Sequence, residues 1–103
     1  MLDLAWRPRA HLDRESIAIY LGVERGNPQA AIDAIQSIDS AIDRVRCFPD
    51  SGGHYTDEHL DHEYRTALAN PYRIFYRYNA TTLTIYRIMH QRQNIDTYSL
   101  VEF

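Results

Sequence analysis

The stretch from Tyr64 to Arg92, YRTALANPYRIFYRYNATTLTIYRIMHQR, constrains this chain more than any other. Runs of β-branched and aromatic residues bounded by turn formers are strands, and the cuts fall at Asn70-Pro71 and around Asn79-Ala80-Thr81. Three consecutive strands follow, which makes an antiparallel meander. Between Tyr72 and Asn79, Ile74, Tyr76 and Tyr78 alternate with Arg73, Phe75 and Arg77. A period of two puts the arginines on the face opposite Ile74 and Tyr76. Between Leu83 and His90 nearly every residue is apolar or aromatic, Arg87 and His90 excepted. That pattern belongs to a strand covered on much of both faces.

The same stretch carries an unusual charge. From Tyr64 to Ile95 there are five arginines (Arg65, Arg73, Arg77, Arg87, Arg92) and no acid, whereas six arginines face fourteen carboxylates elsewhere. The formal net charge of −3 therefore splits into +5 here and −8 in the remainder. Such asymmetry inside one small domain marks the sheet as a binding surface. All eleven basic residues are Arg and none is Lys. Arg offers planar, bidentate contacts and no amine that titrates near neutrality.

Ahead of the meander, Leu2, Leu4 and Trp6 alternate with Asp3 and Ala5, a short strand with one buried face. Pro8 suits a first helical turn, and helical spacing then runs from Ala10 and Asp13 through Ile17, Tyr20 and Leu21 to about Glu24. Gly22 and Gly26 weaken or end that helix, and Asn27-Pro28 starts the next. Ala31, Ala34, Ile35, Ile38, Ala41, Ile42 and Val45 form its apolar stripe, ending near Phe48-Pro49. Asp33, Gln36, Asp39 and Asp43 occupy the other face, read as solvated surface. The expected fold class is α+β in two layers: β-α-α-β-β-β, an antiparallel sheet packed by a helical hairpin, with the first strand joining the meander.

At 103 residues the chain is one domain, and 45% hydrophobic with 24% charged residues is the balance of an ordinary soluble one. Cys47, the lone cysteine, excludes a disulfide framework and a Cys-based zinc site. It reads as a small apolar residue at a helix end. The segment from Pro49 to Glu63, PDSGGHYTDEHLDHE, reads as a polar loop. His54, His59 and His62 fall there among acids, but without regular spacing on a firm element, so no metal is assigned. No cofactor motif is present. No apolar run approaches a membrane span and no charged-then-apolar leader opens the chain, so a cytoplasmic protein with no membrane partner is expected.

Taken in order, Trp6, Pro8, Ala10, Asp13, Ile17, Tyr20, Asn27-Pro28-x-Ala30-Ala31, Pro49, Gly52, Tyr72-Arg73-Ile74-x-Tyr76 and Arg87-Ile88-x-His90-x-Arg92 resemble the RelE/ParE toxins over most of the chain. The resemblance implies the same compact fold and a toxin of a bacterial type II toxin–antitoxin pair, neutralised by a small antitoxin protein. It also implies one of two targets on that fold: DNA gyrase for ParE-like members, or messenger RNA on the ribosome for RelE-like members. Carrying RelE-type positions across, Arg65 falls on a basic position of the second strand, while Ala67 falls where a second basic residue is expected. Arg73 and Arg92 match arginines of that set, Tyr98 has the spacing of a tyrosine beyond it, and some related nucleases use a histidine at His90. In an RNA-cleaving member, His90 or Tyr98 would exchange protons and Arg65, Arg73 and Arg92 would hold the phosphate. In a gyrase-directed member, Arg65, Arg73, Arg87 and Arg92 would contact the target. Tyr72, Tyr76 and Tyr86 are read as core aromatics and Arg77 as a surface residue. Ala67, a pI near 5.9 and the absence of Lys weigh against the phosphate-dense ribosome. The long second helix opened by Asn-Pro leans the same way. Gyrase is therefore the expected target and mRNA cleavage the alternative.

Overall fold

The computed structural model describes residues 1–56 and 63–92. It contains a five-stranded sheet in the order β1-β5-β4-β3-β2, with two helices packed on one face. In chain order these are β1 (Asp3–Trp6), α1 (Pro8–Ile19), α2 (Pro28–Cys47), β2 (Gly53–Tyr55), β3 (Tyr64–Ala69), β4 (Tyr72–Tyr78) and β5 (Thr82–His90). The α+β architecture and the meander agree with the sequence reading. Two features refine it. β1 joins the sheet beside β5 in parallel, so the sheet is mixed rather than purely antiparallel. β2 lies inside the segment read as loop: Gly53, His54 and Tyr55 pair antiparallel with Thr66, Arg65 and Tyr64.

Local chemistry explains the helical layer. α1 opens on Pro8, and the helix runs on through a π-helical turn at Tyr20–Glu24. It stops where Gly26 takes φ 64°, a backbone region that costs glycine little. The Asn27 side chain then accepts a hydrogen bond from the Ala30 N–H at 3.1 Å and caps α2, whose first turn contains Pro28. Ile38, Ala41, Ile42 and Val45 are the buried stretch of the expected stripe. At the far end the Arg46 Nε donates to the Leu2 carbonyl at 2.8 Å and ties α2 to β1. The acidic face is only partly idle, since Asp39 holds Arg14 through two bonds of 3.1 and 2.7 Å and Asp43 lies 3.6 Å from Arg46. Cys47, read as apolar filler, is exposed at the end of α2.

Each face of the sheet buries a cluster. Ile74, Tyr76, Leu83, Ile85 and Ile88 meet Ala10, Ile38, Ile42 and Val45 between sheet and helices. On the other face Tyr64, Phe75 and Met89 pack with Tyr55 and Tyr86. The alternation along β4 and the double-sided burial of β5 are as expected, and Tyr72 and Tyr76 are core residues. A bulge between Phe75 and Tyr76 in the β4–β5 ladder sets Phe75 opposite Arg87 and Tyr76 opposite Ile85.

Candidate functional site

Five of the six site residues expected from the sequence fall among the described residues, and they do different jobs. Arg65 pins the turn before β2. Its guanidinium donates to the carbonyls of Asp50 and Gly52 at 3.1 and 3.2 Å and lies 3.4 Å from the Asp50 carboxylate. Tyr78 hydrogen-bonds the same carboxylate, and the Tyr76 hydroxyl donates to the Pro49 carbonyl at 2.7 Å. A side chain at Gly52 would collide with that Tyr76 hydroxyl and with the Thr66 carbonyl, so the turn requires glycine there.

Arg87 is committed to α1. β1 accompanies β5 only as far as Ile85, where the Arg7 N–H closes the ladder on the Ile85 carbonyl. Beyond that point the Asp13 carboxylate accepts from Arg87 at 2.7 and 3.0 Å and from the Ile88 backbone N–H at 2.9 Å. Asp13 thus stands in for a missing strand and fixes α1 to the edge of the sheet. Arg77, read as a surface residue, is half-buried with its guanidinium 5.9 Å from the ring centres of both Tyr64 and Tyr86.

His90 lies on the helix face, in edge contact with Tyr72 at 5.8 Å between centroids. Its Nδ1 accepts the Arg92 backbone N–H at 3.1 Å, which leaves the proton of the neutral ring on Nε2. The ring borders a cleft of about 390 Å³ lined by Asp13, Ser16, Ile17, Tyr20, Tyr72 and Ile88. Arg73 follows Tyr72 and so projects from the opposite face. Arg65 is opposite Tyr76 and His90 opposite Tyr72, four residues along β4, a separation of about 13 Å at strand rise. The sheet therefore does not gather Arg65, Arg73 and His90 around one phosphate. The Arg92 side chain is exposed. Tyr98, the segment 93–103, and the loop histidines His59 and His62 lie outside the described residues.

Two residues matter more here than the sequence reading allowed. Asp13 is an acid within the apolar spacing of α1, and an acid on a core-facing stripe is the signal that a cation awaits it. Arg44, on the last turn of α2, reads as ordinary helix surface and carries no such signal. It shares a cavity with Arg73.

Burial raises the hydroxyl pKa of Tyr76 and of Tyr72 above the ordinary tyrosine value; a nearby Tyr20 adds to the effect at Tyr72. Folding thus favours the neutral phenols. Their contribution is fully present below about pH 10, the unfolded value, and is lost as pH rises through the higher folded values. Melting temperature is expected to fall as pH is raised from 9 to 11.5, and Tyr76→Phe should flatten that fall in a series of thermal melts. An equally steep decline in the variant would place the alkaline transition elsewhere.

Comparison with known proteins adds identity to this geometry. The family model described as the ParE toxin of the type II toxin–antitoxin system parDE matches residues 4–95. A solved chain of the chromosomal ParDE toxin–antitoxin system from P. aeruginosa superimposes with a TM-score of 0.67 at 24% identity, covering 87% of this chain and 96% of that one. At that identity the likeness is one of fold. No curated protein matches.

Proposed function

This chain belongs to the ParE toxin family of type II toxin–antitoxin modules, and from that membership we propose that it poisons DNA gyrase and is neutralised by a cognate antitoxin protein. The observation that carries the choice of target is the dispersal of the RelE-type set. His90 and Arg73 occupy opposite faces of the sheet, Arg65 is held by Asp50, and Ala67 lacks the second basic group. Ribonucleolytic cleavage needs proton exchange and charge stabilisation around one phosphate. Poisoning another enzyme needs only a surface, which Arg73, Arg92 and the neighbouring basic strands supply. Gyrase as target places the toxin in the cytoplasm. No helix among the described residues is long and apolar enough to cross a membrane.

The antitoxin has a natural seat. Leu12, Ile19 and Val23 are each more than half exposed and recur at helical spacing along α1 and the π-helical turn, with Tyr20 leading into the cleft beside His90. An amphipathic segment laid along this stripe would bury it, in the helix-in-groove manner. Its acids would meet the basic sheet.

Purified toxin incubated with gyrase and supercoiled DNA is expected to accumulate gyrase-bound DNA breaks, and addition of the antitoxin should suppress them. In parallel, translating ribosomes should yield no toxin-dependent mRNA cuts. Ribosomal cleavage without gyrase-linked breaks would replace this reading with the RelE-like one.

A further inference from the structure

β2 pairs with only the first half of β3, so the sheet is left short along Ala67 and Leu68. Between that gap, the last turn of α2 and the ends of β4 and β5 lies a cavity of about 360 Å³, within the size range of small-molecule sites. Two arginines border it, Arg44 from α2 and Arg73 from β4, together with Ser51, Thr66 and Gln91. No carboxylate is among its lining residues, in a chain with fourteen acids to eleven arginines. Asp50, next to Ser51 in sequence, is already engaged by Arg65 and Tyr78.

Four cations elsewhere in the fold are compensated by acids. Arg14, Arg46, Arg65 and Arg87 each lie within ion-pair distance of an Asp. Neither the Arg44 nor the Arg73 side chain has a hydrogen bond or ion pair to another described residue. The wall between them includes Gly52 and Gly53. A side chain on Gly53 would press to 3.2 Å against the Thr66 hydroxyl, and one on Gly52 would strike Tyr76, so this wall stays bare backbone. The C-terminal end of α2 brings about half a negative charge to the region. Two full positive charges outweigh it.

We infer that this cavity is an oxyanion site for a phosphate group, carried either by single-stranded nucleic acid or by a free phosphate. Two guanidinium forks, the Thr66 hydroxyl and an amide offer more donors than the two oxygens of a carboxylate can use, since the Ser51 hydroxyl already donates to the Phe48 carbonyl, and Arg matches phosphate geometry in bidentate fashion. The site is a property of the chain itself and stands whichever macromolecule the toxin attacks.

Calorimetric titration of the purified full chain tests it, with ionic strength held constant by sodium chloride. One arm uses inorganic phosphate and the other a 5′-phosphorylated thymidine hexanucleotide. Saturable binding is expected, and Arg44→Gln and Arg73→Gln should each weaken it by roughly tenfold or more, as loss of a charge-assisted hydrogen bond does. Arg25→Gln, at an exposed position outside the cavity, should leave affinity unchanged. Tighter binding of the hexanucleotide than of phosphate assigns the site to a nucleic-acid backbone; equal binding assigns it to a free phosphate. Circular dichroism melts establish that the variants fold. Absence of saturable binding in both arms, affinity unchanged when both arginines are replaced, or tighter binding of a hexaglutamate peptide than of either probe would overturn the inference.

Discussion

Asp13→Ala is expected to destabilise the fold by about 3–5 kcal/mol, the cost of breaking a buried pair by removing one partner. For a domain of this size that lowers the melting temperature by on the order of 15 °C or more. The magnitude follows from what the carboxylate holds. The Asp13 and Arg87 side chains are only 17% and 12% exposed, so solvent cannot readily replace the lost carboxylate. The same change orphans the Ile88 N–H at the uncovered edge of β5. Asp13→Asn keeps an acceptor for that N–H but not the charge, and should fall between the two. Replacing both partners by apolar residues, Asp13→Leu with Arg87→Met, should recover much of the loss, because it removes the buried charges together. Thermal melts of the four proteins decide the matter. Asp13→Ala within 1 °C of the parent would mean that the pair does not anchor α1.

How much of this was legible beforehand depended on periodicity. α2 announced itself because Asn27-Pro28 and a stripe from Ala31 to Val45 agree on one helix. The β3-β4-β5 meander was legible from the turn formers that punctuate it, and the alternation of Ile74 and Tyr76 with Arg73 and Arg77 gave the faces correctly. β2 was hidden because three residues, one of them glycine, cannot display a period. Its existence rests on pairing with Thr66, Arg65 and Tyr64, a relation between distant segments. The parallel pairing of β1 with β5 is hidden for the same reason.

The candidate site was less legible than the fold. Sequence order places Arg73 two residues after Pro71 and His90 at the end of β5, but whether two such residues share a face depends on register. The Tyr72–His90 pairing puts Arg73 on the other side. An arginine also looks the same in sequence whether it is spoken for or not. Arg65 and Arg87 turned out to be structural ties, whereas Arg44, which carries no pattern of its own, borders the basic cavity.

The register has its largest consequence in living cells. Induced without its antitoxin, the chain is expected to arrest growth and to leave gyrase-linked DNA breaks, and His90→Gln is expected to do the same. A proton-transfer group contributes on the order of 10²–10⁴ in rate, equivalent to about 3–5 kcal/mol of transition-state stabilisation. If His90 were one, the variant would be harmless. The geometry argues otherwise: its Nδ1 is occupied by the Arg92 N–H, its ring sits edge-on to Tyr72, and Arg73 belongs to the opposite face. Gln keeps an acceptor for the Arg92 N–H, so loss of function could not be ascribed simply to losing that group's acceptor chemistry. Colony counts after induction, gyrase-linked break mapping and sequencing of ribosome-associated mRNA ends would be compared for parent and variant. A His90→Gln protein that folds, binds its antitoxin and no longer harms the cell, with loss of ribosomal mRNA cuts made by the parent, would establish the nuclease and remove gyrase as the target.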